Sequence, residues 1–220
     1  MLKEEATWIN DKLKQLESNG KSIYPFANIG CSDHSNDKSQ PWIYELMKSI
    51  ENGGIKKNID IKHTPEVDIS GDLLDSNFVE LLKKENFKTI LAANILTNIE
   101  NKEVFAKNVL NLLTNDTILI VTVANRFPYM ADPVDTLFRP SIPELKELFP
   151  GTSILYSKII ESESYATKIL KNKKVLLITT IRMFLPFYKY KTWVNLVKYI
   201  PLLLKPTRAS CLILEKKHEH

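Results

Sequence analysis

The sequence predicts a doubly wound α/β fold, with a mostly parallel sheet covered on both faces by helices. Three observations predict it. Short apolar runs alternate with helical stripes across residues 24–160, and such alternation calls for parallel strands joined by crossover helices. Residues 88–94, "KTILAAN", are apolar on both faces, as a strand covered on both sides must be. The first four runs end in Gly, Asp or Asn, at the edge where sheets of this class hold their ligands.

Each element has its own signal. Residues 4–18 form an amphipathic helix with Trp8, Ile9, Leu13 and Leu16 on one side. Asn19-Gly20 ends it. Residues 24–29 make a short buried strand. Pro41 opens a helix whose stripe is Trp42, Ile43, Leu46 and Ile50, and Gly53-Gly54 closes it. Ile59-Asp60-Ile61 is a second strand, and Val67-Asp68-Ile69 leads into a third that ends at Gly71-Asp72. Ser76 caps a helix carrying Phe78, Val79, Leu81 and Leu82. After the buried run 88–94, Phe105, Val109, Leu112 and Leu113 mark another helix. Residues 117–125, "TILIVTVAN", are the clearest strand. Ser141 and Glu144 form a capping box for a helix ending near Phe149-Pro150-Gly151. Residues 153–160, "SILYSKII", and 210–215 complete a seven-stranded count. The expected organisation is one domain, with an N-terminal helix (1–20), a ligand-binding core (21–160), a helical insert (161–207) and a final strand (208–216).

Composition bounds the function. The 220 residues are 44% hydrophobic and 25% charged, the profile of a globular chain able to bury a core. A net charge of +4 is too small to argue for nucleic acid. Arg126, Arg139, Arg182 and Arg208 are the only arginines, few for an enzyme that grips phosphates with guanidinium forks. Cys31 and Cys211 match no disulfide or zinc pattern, which fits a reducing, cytoplasmic setting. The start "MLKEEATWIN" has no apolar stretch of the kind a signal peptide needs, and no uncharged run reaches bilayer length.

The strand ends carry the chemistry. Gly30 admits a ligand close to the backbone. Asp60 is placed to accept both hydroxyl hydrogens of a ribose. Asp72 can accept from an exocyclic amine while Leu73 covers a purine face. Asn94 can reach an amino-acid-like group. On these residues the chain resembles the class I S-adenosylmethionine-dependent methyltransferases. Their first motif, an acid followed by x-Gly-x-Gly, corresponds to Asn28-Ile29-Gly30-Cys31-Ser32, with asparagine for the acid and serine for the second glycine. Their acidic residue after the second strand corresponds to Asp60, next to Ile61, and the aspartate after the third to Asp72 in "VDISGDLLD". Their fourth motif corresponds to "AANILTNIEN", where Asn94, Ile95 and Leu96 would line the ligand. The likeness covers residues 24–160 and 210–215. It is best to a bacterial subgroup whose "DPxDTLFRP…LFPG" segment matches residues 132–140 and 148–151.

That resemblance implies a Rossmann-like methyltransferase sheet and S-adenosylmethionine as cofactor; it does not name the acceptor, for which the expectation is a small molecule or, if the insert meets a membrane, a glycan- or lipid-linked one. Asp132, Asp135 and Arg139 would face the acceptor, with Tyr129 beside them. A second reading of this loop is that Asp135 and Arg139 pair to fix it. A dinucleotide fold is disfavoured, because there is no G-x-G-x-x-G and the interval from Gly30 to Asp60 exceeds the roughly 20 residues typical of one.

Plainer readings stand beside these. Gly30 alone can be a strand terminator, and Asp60 and Asp72 alone can be turn residues. Cys31 and His34 would make a nucleophile and base only with a third group to orient the histidine. Cys31, Asp33, His34 and His63 match no metal spacing, so no metal is expected. A non-catalytic scaffold on the same fold is the alternative function. The insert carries Pro186, Pro201 and Pro206 among aromatics and lysines. It reads as a lid or homodimer face, or, through residues 175–206, as a contact with the inner face of a membrane.

Overall fold

The computed structural model describes residues 1–31, 40–129, 134–171, 177–178, 180–181, 190, 193–194 and 200–217. The described strands form one seven-stranded sheet: β1 Phe26–Ile29, β2 Lys56–Asp60, β3 Ile69–Ser70, β4 Thr89–Ala93, β5 Ile118–Arg126, β6 Thr152–Ser164 and β7 Pro206–Lys216. Their spatial order is β3-β2-β1-β4-β5-β7-β6. β7 runs antiparallel to both its neighbours, and all other pairs are parallel. The chain therefore moves outward from β1 to β3, returns to the middle at β4, and builds the other half.

Period-two alternation divides the strands between two cores. Ala27, Ile29, Ile90, Ala92, Leu119, Val121, Leu212 and Leu214 face one core. It is completed by α3 Ser76–Leu82, α4 Lys102–Leu112 and α5 Ile142–Glu147. Phe26, Leu91, Ile118, Ile120, Cys211 and Ile213 face the other, under α1 Lys3–Ser18 and α2 Pro41–Gly53. The stripe Trp8, Ile9, Leu13 and Leu16 is buried there. In α2, Leu46 and Ile50 are buried, with Trp42 packed partly exposed against the same core. At Gly54, an added Cβ would lie 2.6 Å from the Tyr24 ring, so the glycine admits that ring against the end of α2.

Several expected boundaries shift. The cap of α3 is Asp75, whose Oδ1 accepts from Asn77 N at 2.9 Å, and Ser76 is the first helical residue. β2 stops at Asp60, leaving Ile61 outside it and 63% exposed. β6 runs on to Ser164 and β7 begins at Pro206, because edge strand β6 pairs with β7 along its length up to Ser164 and Pro206. The connection between them thus spans residues 165–205, starting with α6 Tyr165–Lys171 and ending with a short helix Ile200–Leu203. The capping box at Ser141 is present: Glu144 Oε2 accepts from Ser141 N at 2.7 Å.

Ile9 is fully buried, whereas Val104 on α4 is 44% exposed. Replacing Ile9 by Ala should cost about 2–5 kcal/mol in urea-induced unfolding. Val104→Ala should change stability by no more than about 0.5 kcal/mol.

Candidate functional site

The strand order reverses between β1 and β4. The chain after β1 leads to α2 on one face of the sheet and the chain after β4 to α4 on the other, the topology at which sheets of this class hold their ligands. Gly30 and Asn94 follow these two strands directly. Gly30 has φ +73°, a left-handed conformation that costs other residues strain. Space demands glycine as well. A Cβ there would lie 2.7 Å from Ile95 Cδ1, so the loop after β4 closes directly onto the loop after β1. Asn94 is also left-handed, with φ +56°, a region asparagine tolerates better than most residues.

Asp60 and Asp72 are held by the same local device. Asp60 Oδ1 accepts from Lys62 N at 3.0 Å, and Asp72 Oδ1 accepts from Leu74 N at 2.8 Å. Each carboxylate is thereby turned by its own loop, and each Oδ2 has no hydrogen-bond partner among the described residues. Asn28 lies within β1 rather than beyond it. Its Nδ2 donates to Asn58 Oδ1 at 3.0 Å, across to β2, so Oδ1 is the atom through which it would meet a ligand. Asn58 is fixed in turn by Glu66 O at 2.9 Å and by Asp68 Oδ2, which takes its backbone N–H at 2.6 Å.

Two residues leave the expected site. Leu73 is 7% exposed within the core, and its carbonyl accepts from Asn108 Nδ2, so its side chain does not cover a purine. Leu96 is fully buried in the same core. Ile95 instead packs at the edge of that core, over Gly30. Ser32 and Asp132, and with them Asp33 and His34, lie outside the described residues.

Cys31 follows Gly30 and is half-buried. Burial, reinforced by the Asp60 carboxylate, pushes its thiol up to about 11. Such a thiol is a poor nucleophile at neutral pH, which argues against the nucleophile reading of Cys31. His63 Nε2 lies 3.4 Å from Ser70 Oγ. Among the described residues, no three His, Cys, Asp or Glu side chains gather to hold a metal.

The loop after β5 is braced. Arg139 donates twice to Asp135, Nη1 to Oδ1 at 3.0 Å and Nη2 to Oδ2 at 2.6 Å. The Asp135 side chain is wholly buried. Thr136 N and Oγ1 both donate to Thr97 O, at 2.9 and 3.0 Å. Thr97 Oγ1 donates onward to Asn94 O at 2.8 Å. Asn125 Nδ2 and Ser210 Oγ share Pro140 O at 2.8 and 2.6 Å. The segment is therefore tied to the turn that carries Asn94, and Asp135 and Arg139 are paired with each other.

The residue missed by the sequence reading is Glu5. It is 1% exposed. Its Oε2 accepts from Leu2 N at 2.9 Å and its Oε1 from Asn94 Nδ2 at 2.8 Å. The signal was present, since Glu5, Ile9 and Leu13 recur every four residues on the buried side of α1. Because a carboxylate only accepts, Asn94 must present its amide to Glu5, which turns Asn94 Oδ1 away.

Comparisons with known proteins agree with this architecture. No protein-family model matches the sequence, and no curated protein matches it at a significant level. Solved structures do match. The plantazolicin methyltransferase BamL, in complex with a triazolic desmethylPZN analog and SAH, superposes with a TM-score of 0.54 at 11% identity, covering 98% of this chain and 86% of that one. The cyclase SpnF gives 0.52 at 13% identity, over 95% and 82%. A SAM-dependent methyltransferase from Archaeoglobus fulgidus gives 0.51 at 14% identity, over 96% and 94%. The chain has the class I methyltransferase fold.

Two predictions test this geometry. Gly30→Ala should destabilise the protein by about 1–3 kcal/mol. In a double-mutant cycle it should couple to Ile95→Ala by about 0.5–3 kcal/mol, because shortening Ile95 relieves the clash. Alkylation of Cys31 should be slow at pH 8, where roughly one thiol in a thousand is ionised, and should rise tenfold per pH unit.

Proposed function

We propose that the protein is an S-adenosylmethionine-dependent methyltransferase acting on a small-molecule or a glycan- or lipid-linked acceptor. The observation that carries this reading is the set of strand ends at the switch point. Gly30 is kept free of a Cβ, while Asp60, Asp72 and Asn94 are each held in place at the same edge. The neighbouring folds support it, and SpnF, named a cyclase, shows that such a fold by itself does not dictate methyl transfer.

The residues fit that cofactor. Gly30 supplies the left-handed turn over which Ile95 packs, and the two outer oxygens of Asp60 and Asp72 are acceptors for ribose hydroxyls and an adenine amine. Asn28 Oδ1 and Asn94 Oδ1 add neutral acceptors. Bound there, S-adenosylmethionine supplies an electrophilic methyl on sulfur, whose transfer needs proximity and in-line approach more than a fixed base. The protein's part is then to bind, orient and exclude water. Glu5 contributes by orienting Asn94, and the braced loop 134–141 contributes by holding the turn behind it. Asp135 and Arg139 serve this reading as that brace, since each already binds the other. The acceptor side would fall to Tyr129 and to Asp132.

Calorimetry with S-adenosylhomocysteine tests the proposal. Wild type should bind in the micromolar range. Asp60→Ala should weaken binding about 10–100-fold, the effect of losing hydrogen bonds to a charged group. Glu5→Gln should weaken it about tenfold while thermal unfolding stays cooperative, because Asn94 loses its fixed orientation. No binding by folded wild type would overturn the proposal and leave a scaffold on a methyltransferase fold.

A further inference from the structure

The chain has only four arginines, and the fold gathers three of them at the carboxyl end of β5. Arg126 ends that strand. It lies opposite Arg208 of β7, just past an irregularity in the pairing between Ala124 and Arg126. Arg139 returns along the same strand end, where its Nε donates to Phe127 O at 3.5 Å.

Two of these guanidiniums are already neutralised. Arg139 holds Asp135 through two hydrogen bonds. Arg208 meets Glu161 of β6 through Nε and Nη2. Arg126 is half-buried, and among the described residues no carboxylate pairs with it. Residues directly opposite in an antiparallel pair have Cβ atoms about 5 Å apart, and like charges there repel. Three guanidiniums against two carboxylates leave one positive charge, placed beside another and partly withdrawn from water. An anion seated there would remove the repulsion.

The place is also apart from the residues assigned to the cofactor. Thr122 pairs with Ala93 of β4, and Arg126 is four residues farther along β5. At the rise of a β-strand this puts Arg126 on the order of 10 Å beyond the level of Ala93. It stands on the side of β4 away from β2 and β3, after which come Asp60 and Asp72. Tyr129 follows Arg126 by three residues.

We infer that Arg126, with Arg208 beside it, binds an oxyanion, a carboxylate or phosphate group carried by the methyl acceptor. A guanidinium suits that role, because its planar fork donates to two oxygens in parallel. The anion site rests on the arginine geometry, and its assignment to the acceptor rests on the methyltransferase reading. Two competitors fit less well. A neutral acceptor would leave the charge of Arg126 unmet. The carboxylate of S-adenosylmethionine itself would have to reach past β4, away from the aspartates that hold its nucleoside.

Thermal unfolding of the full chain tests the site, with inorganic phosphate, acetate and chloride compared at one ionic strength. Phosphate or acetate should raise the wild-type midpoint saturably, as a ligand of the folded state does, and the stronger of the two names the group. Arg126→Gln should weaken that response at least tenfold, the effect of losing charged hydrogen bonds. In chloride the same variant should melt no lower than wild type, since a like-charge contact is gone. Glu161→Gln, which releases Arg208, should tighten anion binding about threefold. Equal midpoints in the three salts, or a response that survives Arg126→Gln, would overturn the site. Calorimetry with S-adenosylhomocysteine separates the two readings. Arg126→Gln should bind it as wild type does, and a tenfold loss would give Arg126 to the cofactor and overturn the acceptor role. A wild type that binds phosphate through Arg126 but no S-adenosylhomocysteine would keep the anion site and remove methyl transfer instead.

Discussion

The parallel pairing of β1 with β4, Phe26–Ile29 against Thr89–Ala92, is the contact on which the other features rest. It is where the strand order reverses, and a reversal between parallel strands sends their following loops apart. The pairing also fixes which side chains face which core. A shift by one residue would send Ile90 and Ala92 toward α1 and Leu91 toward α4. Both faces are buried, so such a shift costs apolar burial on two sides at once. The register is thereby fixed by packing, and the positions of Gly30 and Asn94 follow from it.

How far the sequence reveals the fold depends on where the signal is local. Residues 88–94 and 117–125 read as strands because full burial removes polar residues from both faces. The capping box at Ser141 is a property of four residues, and it appears as expected. The ends of β6 and β7 were harder to read. Residues 161–164 are polar and carry two glutamates, and only pairing with β7 makes them a strand. Asp75 and Ser76 are both good caps by type, and the choice between them rests on one hydrogen bond.

The site divides in the same way. Gly30, Asp60, Asp72 and Asn94 are strand-end residues of distinctive type, so position and chemistry agree. Leu73 and Leu96 are apolar residues next to polar ones. A linear motif does not say which way a side chain turns, and in this fold both turn into the core. The Asp135–Arg139 pair shows the converse. Two charged residues four apart in a loop read equally as acceptor contacts or as a brace, and the twofold geometry with a buried carboxylate makes them a brace.

Glu5 shows why the N-terminal helix is more than a cover for the sheet. A carboxyl group with almost no exposure is costly unless hydrogen-bond partners surround it, and this one has two, Leu2 N and Asn94 Nδ2. No cation pairs with it among the described salt bridges. Its charge is felt by the Cys211 thiol on β7, which burial already holds far toward the protonated form. An apolar residue would pack beneath α1 at lower cost, yet it would leave the Asn94 amide without an acceptor and free to turn over. What the carboxylate adds is orientation. It connects the first turn of α1 to a left-handed asparagine 89 residues away, at the edge where β1 and β4 part. The apolar stripe of α1 supplies the rigidity that this requires, since Ile9 and Leu13 hold the helix on which Glu5 is mounted. Stability and the geometry of the candidate site are therefore coupled through one helix, with packing carried by its apolar positions and orientation by its single buried acid.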